Sequence, residues 1–130
     1  LVKKTLGDLR GRKIAALGLA FKPDVDDLRE SPAVEVIHLL QGEGGIVQAF
    51  EPFKPEADLP GVTSVPSLAT ALKEADAVVL LVNHSQFRAL TPEKMAELTP
   101  ARILVDTVNG WDGKDWQAAG FKIHRLGVGK

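Results

Sequence analysis

Three stretches of the chain concentrate side chains able to grip a polar or charged ligand. The first runs Gly18-Leu19-Ala20-Phe21-Lys22-Pro23-Asp24-Val25-Asp26-Asp27-Leu28-Arg29-Glu30-Ser31-Pro32. The second is Asn83-His84, and the third is Asp106-Thr107-Val108-Asn109-Gly110. In the first, Gly18 lets the backbone run close to a neighbour or a ligand. Lys22 offers a point charge to phosphate, and Phe21 can cover a flat or apolar ligand surface. The fork of Arg29 can take a carboxylate or a phosphate through two parallel hydrogen bonds. A helix opening at Pro32 would turn its partly positive end toward the same region. Composition alone allows a plainer reading, in which Asp24, Asp26, Asp27, Arg29 and Glu30 form a solvated loop and Arg29 pairs with an aspartate. The acids do not make a calcium loop, because the glycine and the distal glutamate of that motif are missing.

Other chemistries find less support. A dinucleotide site would show Gly-x-Gly-x-x-Gly after the first strand. Here Gly18 is followed by Leu19, Ala20 and Phe21, so the fingerprint is broken. Glu51 does close the second apolar stretch, where an acid could meet a ribose. His38 lies off the apolar stripe of its helix, and His124 sits in the last strand with no partner in view. His84 falls at a strand end, where it could donate to a ligand but better suits a structural or helix-capping role. No nucleophile–base–orienter set is visible. The chain has no cysteine, hence no thiol nucleophile, soft metal ligand or disulfide. Trp111 and Trp116 are read as packing residues.

The elements that must position these stretches follow from periodicity. The compact run Arg12–Ala20 and the six apolar residues Ala77–Val82 suit strands buried on both faces. Further strands are expected over Ile46–Phe50, Arg102–Asp106 and Phe121–Leu126, with a short one near Val62–Val65. Ser31-Pro32 and Thr91-Pro92 each pair an N-cap with a first-turn proline. Ala33, Val36, Ile37 and Leu40 form one helical stripe, which Gly42, Gly44 and Gly45 terminate. Ser67 caps a helix that turns Leu68, Ala71, Leu72 and Ala75 inward. A short helix is expected within Asn83–Leu90, another up to Leu98, and a last one from Asp112 to Ala119, closed by Gly120. Alternating strands and helices with apolar central strands predict an α/β fold: a Rossmann-like, doubly wound, mostly parallel sheet with helices on both faces.

The chain has 130 residues, 45% of them hydrophobic and 25% charged, which fits one globular domain with one core. A net charge of −1 argues against nucleic-acid binding through a basic face. No apolar run reaches the length of a membrane span, and no leader is recognisable, so a cytoplasmic location is expected. The chain opens on Leu1 and its one methionine is Met95, and we read it as a fragment.

The stretch from Gly18 to Ala33 resembles the signature that opens the C-terminal, UDP-binding domain of the UDP-glucose/GDP-mannose dehydrogenase family. Ala49-Phe50-Glu51-Pro52 resembles that family's aromatic-acid-proline turn, and Leu104-Val105-Asp106-Thr107-Val108-Asn109 its late strand and loop. The resemblance implies that Phe21 and Lys22 meet the UDP portion of the substrate, the lysine reaching the diphosphate. It also draws in Arg29, as a ligand contact or a brace for the loop, and Asn109. Many relatives carry a basic residue where this chain has Val108, so Asn109 stands in only weakly for that contact. Pro23 to Ala33 looks most like the UDP-N-acetylmannosamine branch of the family, with UDP-glucose and other UDP-N-acetylhexosamines left open as the sugar nucleotide.

By the same resemblance, Leu1–Gly11 would end a linker or central helix and residues 12–130 would form the UDP-sugar-binding domain. NAD would be bound by an N-terminal domain that this chain does not include. The family's catalytic cysteine forms a covalent thiohemiacetal during two successive NAD-dependent oxidations, so a chain with no cysteine is expected to bind a UDP-sugar and not to oxidise it. The expected partners are the UDP-sugar and the rest of the same polypeptide in a homo-oligomer, with no nucleic acid and no membrane. Two other readings stay open: an assembly module with negligible UDP affinity of its own, and an independent dinucleotide-binding domain.

Overall fold

The computed structural model describes residues 10–19, 32–52, 61–82, 84–108, 111 and 113–125. Strands β1 (Lys13–Leu17), β2 (Ile46–Phe50), β3 (Ala77–Leu80), β4 (Ile103–Asp106) and β5 (Lys122–Arg125) build one sheet in the order β2-β1-β3-β4-β5. Every pairing is parallel. Helices α1 (Pro32–Gly42), α2 (Leu68–Leu72), α3 (Ser85–Arg88), α4 (Pro92–Leu98) and α5 (Gly113–Ala118) lie between the strands. This is the doubly wound α/β fold expected of the alternating pattern, in the flavodoxin-like strand order, whose switch point falls between β1 and β3.

Parallel strands covered on both faces must be apolar at every position, since neither set of alternate side chains meets water. Ile14 and Ala16 of β1 join Val47, Ala49, Val79 and Val105 beneath Ala33, Ile37 and Leu40 of α1. Ala15 and Leu17 point the other way, into a core with Leu72, Phe87, Met95, Trp111, Trp116 and Phe121. Burying each large aliphatic or aromatic side chain is worth about 1.5–3 kcal/mol relative to leaving it exposed. The two tryptophans pack ring against ring, with centroids 4.8 Å apart, as the packing assignment required.

Local signals place the helices. The Ser67 side chain accepts the Thr70 amide at 3.1 Å to open α2, and Thr91 accepts the Lys94 amide at 3.2 Å to open α4. Helix α1 ends at Gly42, and the turn beyond it uses Gly44 at φ +94°. A side chain on Gly44 would come within 2.5 Å of Arg10 Cγ, so the turn is shaped to let the incoming chain pass.

The sequence-based expectation differs from the structure in a few places. The segment near Val62–Val65 does not become a strand of the sheet. It makes an isolated parallel bridge, with Ala49 N donating to Thr63 O and Val65 N to Ala49 O, each at 2.9 Å. Pro66 follows at once and has no N–H to continue a ladder. The apolar runs also overstate strand length. β1 stops at Leu17 because Gly18 turns out of the strand at φ +101°, and β3 stops at Leu80. Leu1 to Gly7, expected to be a helix tail or linker, falls outside the described residues, as do Ser31 and Asp112.

Candidate nucleotide-binding site

In an open α/β sheet the ligand crevice lies beyond the carboxyl ends of the strands at the switch point. Here that is the gap between the ends of β1 and β3, where the Gly18 stretch departs. Backbone bonds lace the ends of β2, β1 and β3 together. Gly18 N donates to Phe50 O at 2.9 Å, and Leu81 N to Leu17 O at 2.9 Å. At Gly18 a Cβ would stand 2.6 Å from Val82 Cβ, so only glycine lets β1 and β3 approach this closely where the chain turns.

Immediately behind this point sits a buried polar cluster. Glu51 is 1% exposed and His84 0%. One oxygen of Glu51, Oε1, accepts the Leu19 amide at 2.8 Å and lies 2.8 Å from His84 Nε2. With Glu51 ionised, its oxygen can only accept, and the contact then requires the His84 tautomer that carries the hydrogen on Nε2. The ring is held by tilted contact with Phe87, centroids 5.6 Å apart, and Phe87 meets Phe50 edge to face. The main chain of His84 serves the first turn of α3, its carbonyl accepting from Phe87 N and Arg88 N.

The end of β4 is organised by a second buried acid. Asp106, 0% exposed, accepts the Val108 amide through Oδ1 at 3.1 Å and the Trp111 amide through Oδ2 at 3.0 Å. Thr107 donates both its amide (3.1 Å) and its hydroxyl (2.7 Å) to Leu80 O. Trp111 Nε1 donates to Phe87 O at 2.8 Å. The Val108 side chain packs against the core, so this position supplies the loop with neither a charge nor a hydrogen-bonding side chain.

Phe21, Lys22, Arg29 and Asn109, the residues singled out from the sequence, lie outside the described residues, as does Asn83. Of the acids and histidines weighed with them that the structure describes, Glu51 and His84 come together. His38 is on the exposed side of α1. His124 stands on β5, and its buried Nε2 has no hydrogen-bond partner among the described residues. The Glu51–His84 contact joins positions 33 residues apart, and the sequence signal that could have found it is that Glu51 directly follows β2 and His84 lies just past the apolar run of β3, both strands adjacent to β1. Neither NAD nor a metal fits the described groups. The ribose-binding acid that a dinucleotide would need is buried and engaged with Leu19 and His84, and the glycine fingerprint is absent. No three metal-ligating side chains cluster among the described residues, nor is any helix among them long and apolar enough to cross a membrane.

The model of the UDP-glucose/GDP-mannose dehydrogenase family, UDP binding domain, matches residues 15–113. The chain belongs to this family. It is 45% identical over 103 residues to the UDP-N-acetyl-D-mannosamine dehydrogenase of Yersinia pestis, covering 76% of this chain and 23% of that protein. It is 36% identical over 124 residues to the UDP-glucose 6-dehydrogenase of Rhizobium meliloti, covering 93% of this chain and 28% of that one. Among solved structures, the NDP-N-acetyl-D-galactosaminuronic acid dehydrogenase from Methanosarcina mazei superposes with a TM-score of 0.85 at 27% identity, over 96% of this chain and 26% of that one. The chain thus spans about a quarter of the length of these family members.

Proposed function

We propose that the chain is the UDP-holding part of an NAD-dependent UDP-sugar 6-dehydrogenase, with UDP-N-acetylmannosamine as the sugar nucleotide. The observation that carries the reading is the switch point, which puts the start of the family-signature stretch at the one place on the sheet where this fold takes its ligand. In this reading Lys22 meets the diphosphate, Phe21 covers the nucleotide, Arg29 pairs with phosphate or braces the stretch, and Asn109 contributes from the loop after β4. With Val108 packed inward, Lys22 carries more of the diphosphate charge than it would beside a basic neighbour.

The choice of sugar is supported by the 45% identity to the Yersinia pestis enzyme, against 36% to the UDP-glucose enzyme. In this reading NAD binding and the cysteine chemistry belong to the rest of the polypeptide, which the broken glycine fingerprint and the lack of cysteine in this chain support. The chain alone then binds without oxidising. The whole enzyme is a cytoplasmic homo-oligomer serving polysaccharide biosynthesis. Replacement of Lys22 by alanine in the whole enzyme tests the reading. Loss of one charge-assisted phosphate contact should weaken UDP binding roughly tenfold or more, and calorimetric titration showing unchanged affinity would remove Lys22 from the site.

A further inference from the structure

Glu51 and His84 are buried, and together they hold the backbone at the mouth of the site. Leu19 N is the last described donor before the stretch that bears Phe21 and Lys22, two and three residues on. Its acceptor comes from beyond β2, 32 residues away in sequence. The same oxygen is held by a ring that follows β3. One carboxylate therefore joins the chain at the ends of β2, β1 and β3, the last two of which flank the switch point. Burying an ionised carboxylate is costly unless several donors face it, and Leu19 N and His84 Nε2 are two such donors. Removing the acid would leave a buried amide and a buried imidazole without it.

We propose that Glu51 is a positioning residue for nucleotide binding: it fixes the point at which the ligand-bearing stretch leaves β1, and His84 fixes the carboxylate. The proposal rests on the nucleotide reading above and adds a residue pair to it. Preorganisation of this kind acts on affinity, because a backbone already held at Leu19 has less freedom to lose on binding.

The test uses the whole enzyme as wild type, Glu51→Gln, Glu51→Ala and Lys22→Ala. UDP affinity is measured by calorimetry, NADH affinity by fluorescence, and the Leu19 amide by NMR. The Glu51→Gln side chain keeps an oxygen acceptor without the charge, so UDP binding should weaken by about threefold, and in Glu51→Ala by roughly tenfold, the worth of a hydrogen bond to a charged group. NADH affinity should hold in both, which a general loss of folding would not allow. The Leu19 amide proton should move upfield in Glu51→Gln. If Glu51→Ala does not fold, Glu51→Gln decides. A shifted Leu19 amide with wild-type UDP affinity overturns the positioning role, and so does an unshifted amide. If Lys22→Ala weakens UDP binding while both Glu51 variants match wild type, only the pair is discarded. A wild-type enzyme that binds NADH but not UDP discards the nucleotide reading, and the pair's role with it.

Discussion

Asp106, at the end of β4, holds amides two and five residues ahead of it, whereas Glu51, just past β2, holds an amide 32 residues behind and a ring 33 residues ahead. Both acids are buried at the ligand edge of one sheet. Asp106 shapes its own loop, using a separate oxygen for each amide, and depends on the tertiary fold mainly for burial. Glu51 uses a single oxygen to connect elements that meet only when the sheet has formed. The contrast separates two ways of building a site edge: a local turn that the sequence carries within a few residues, and a fastening that exists only in the assembled fold.

The largest effect should come from the non-local side. His84→Leu removes a donor while leaving the carboxylate buried, and should cost about 3–5 kcal/mol in urea unfolding. A loss below about 1 kcal/mol would mean that Glu51 is served well enough without the ring. Gly18→Ala comes next, since it combines a left-handed backbone with a 2.6 Å approach to Val82, and should cost about 2–4 kcal/mol. Asp106→Ala strips two amides of their acceptor and should cost about 1–3 kcal/mol, with the chemical-shift changes confined to the segment around Val108 and Trp111. Changes spreading to Leu19 would break the distinction between the two acids.

A double-mutant cycle sharpens the same comparison. Three strand spacings separate the ends of β2 and β4, roughly 14 Å, so Glu51→Gln and Asp106→Asn should add within about 0.5 kcal/mol. Glu51→Gln combined with His84→Leu should be strongly non-additive. The smallest effect belongs to an exposed acid at the opposite edge of the sheet. Glu74 hydrogen-bonds Lys13 Nζ at 3.1 Å. That bond, followed by the charges of Lys13 and Lys73, lowers its pKa. A lowered folded-state pKa gives stability that is present above the unfolded-state value and is lost as pH falls through the folded-state one. Acid titration of Glu74→Gln against wild type should therefore show a small difference near neutrality that closes at low pH, and that added salt diminishes.

Much of the fold is legible in the sequence because its signals are local. Uninterrupted apolar runs mark β1 and β3, and Ser67 and Thr91 mark the starts of α2 and α4, each by accepting an amide three residues on. Strand ends are misplaced where hydrophobicity continues past the last ladder bond, as at Leu81 and Val82, which are buried without being strand. Val62–Val65 looks like a strand for its β-branched residues, but proline limits it to a bridge. At the candidate site, the motif points to the loop after β1, and the strand order puts the root of that loop at the switch point. The roles of Glu51 and His84 are not legible. Glu51 suits a ribose partner from its place at a strand end, and nothing short of the strand order places it beside His84. Phe21, Lys22, Arg29 and Asn109 rest on the motif, and Lys22→Ala tests it.

The bridge between Ala49 and Ser64 also bears on how these molecules behave when crowded. β2 is an outer strand of the sheet, and an uncovered outer strand is a template on which another chain can add. Thr63 to Val65 occupy the Ala49 amide and carbonyl on that side, and Pro66 ends the cover without offering a further amide. The other outer strand, β5, opens on the exposed Lys122, so an identical strand arriving there has to desolvate a lysine beside its own copy. Each margin of the sheet thus discourages strand-by-strand growth into a neighbour.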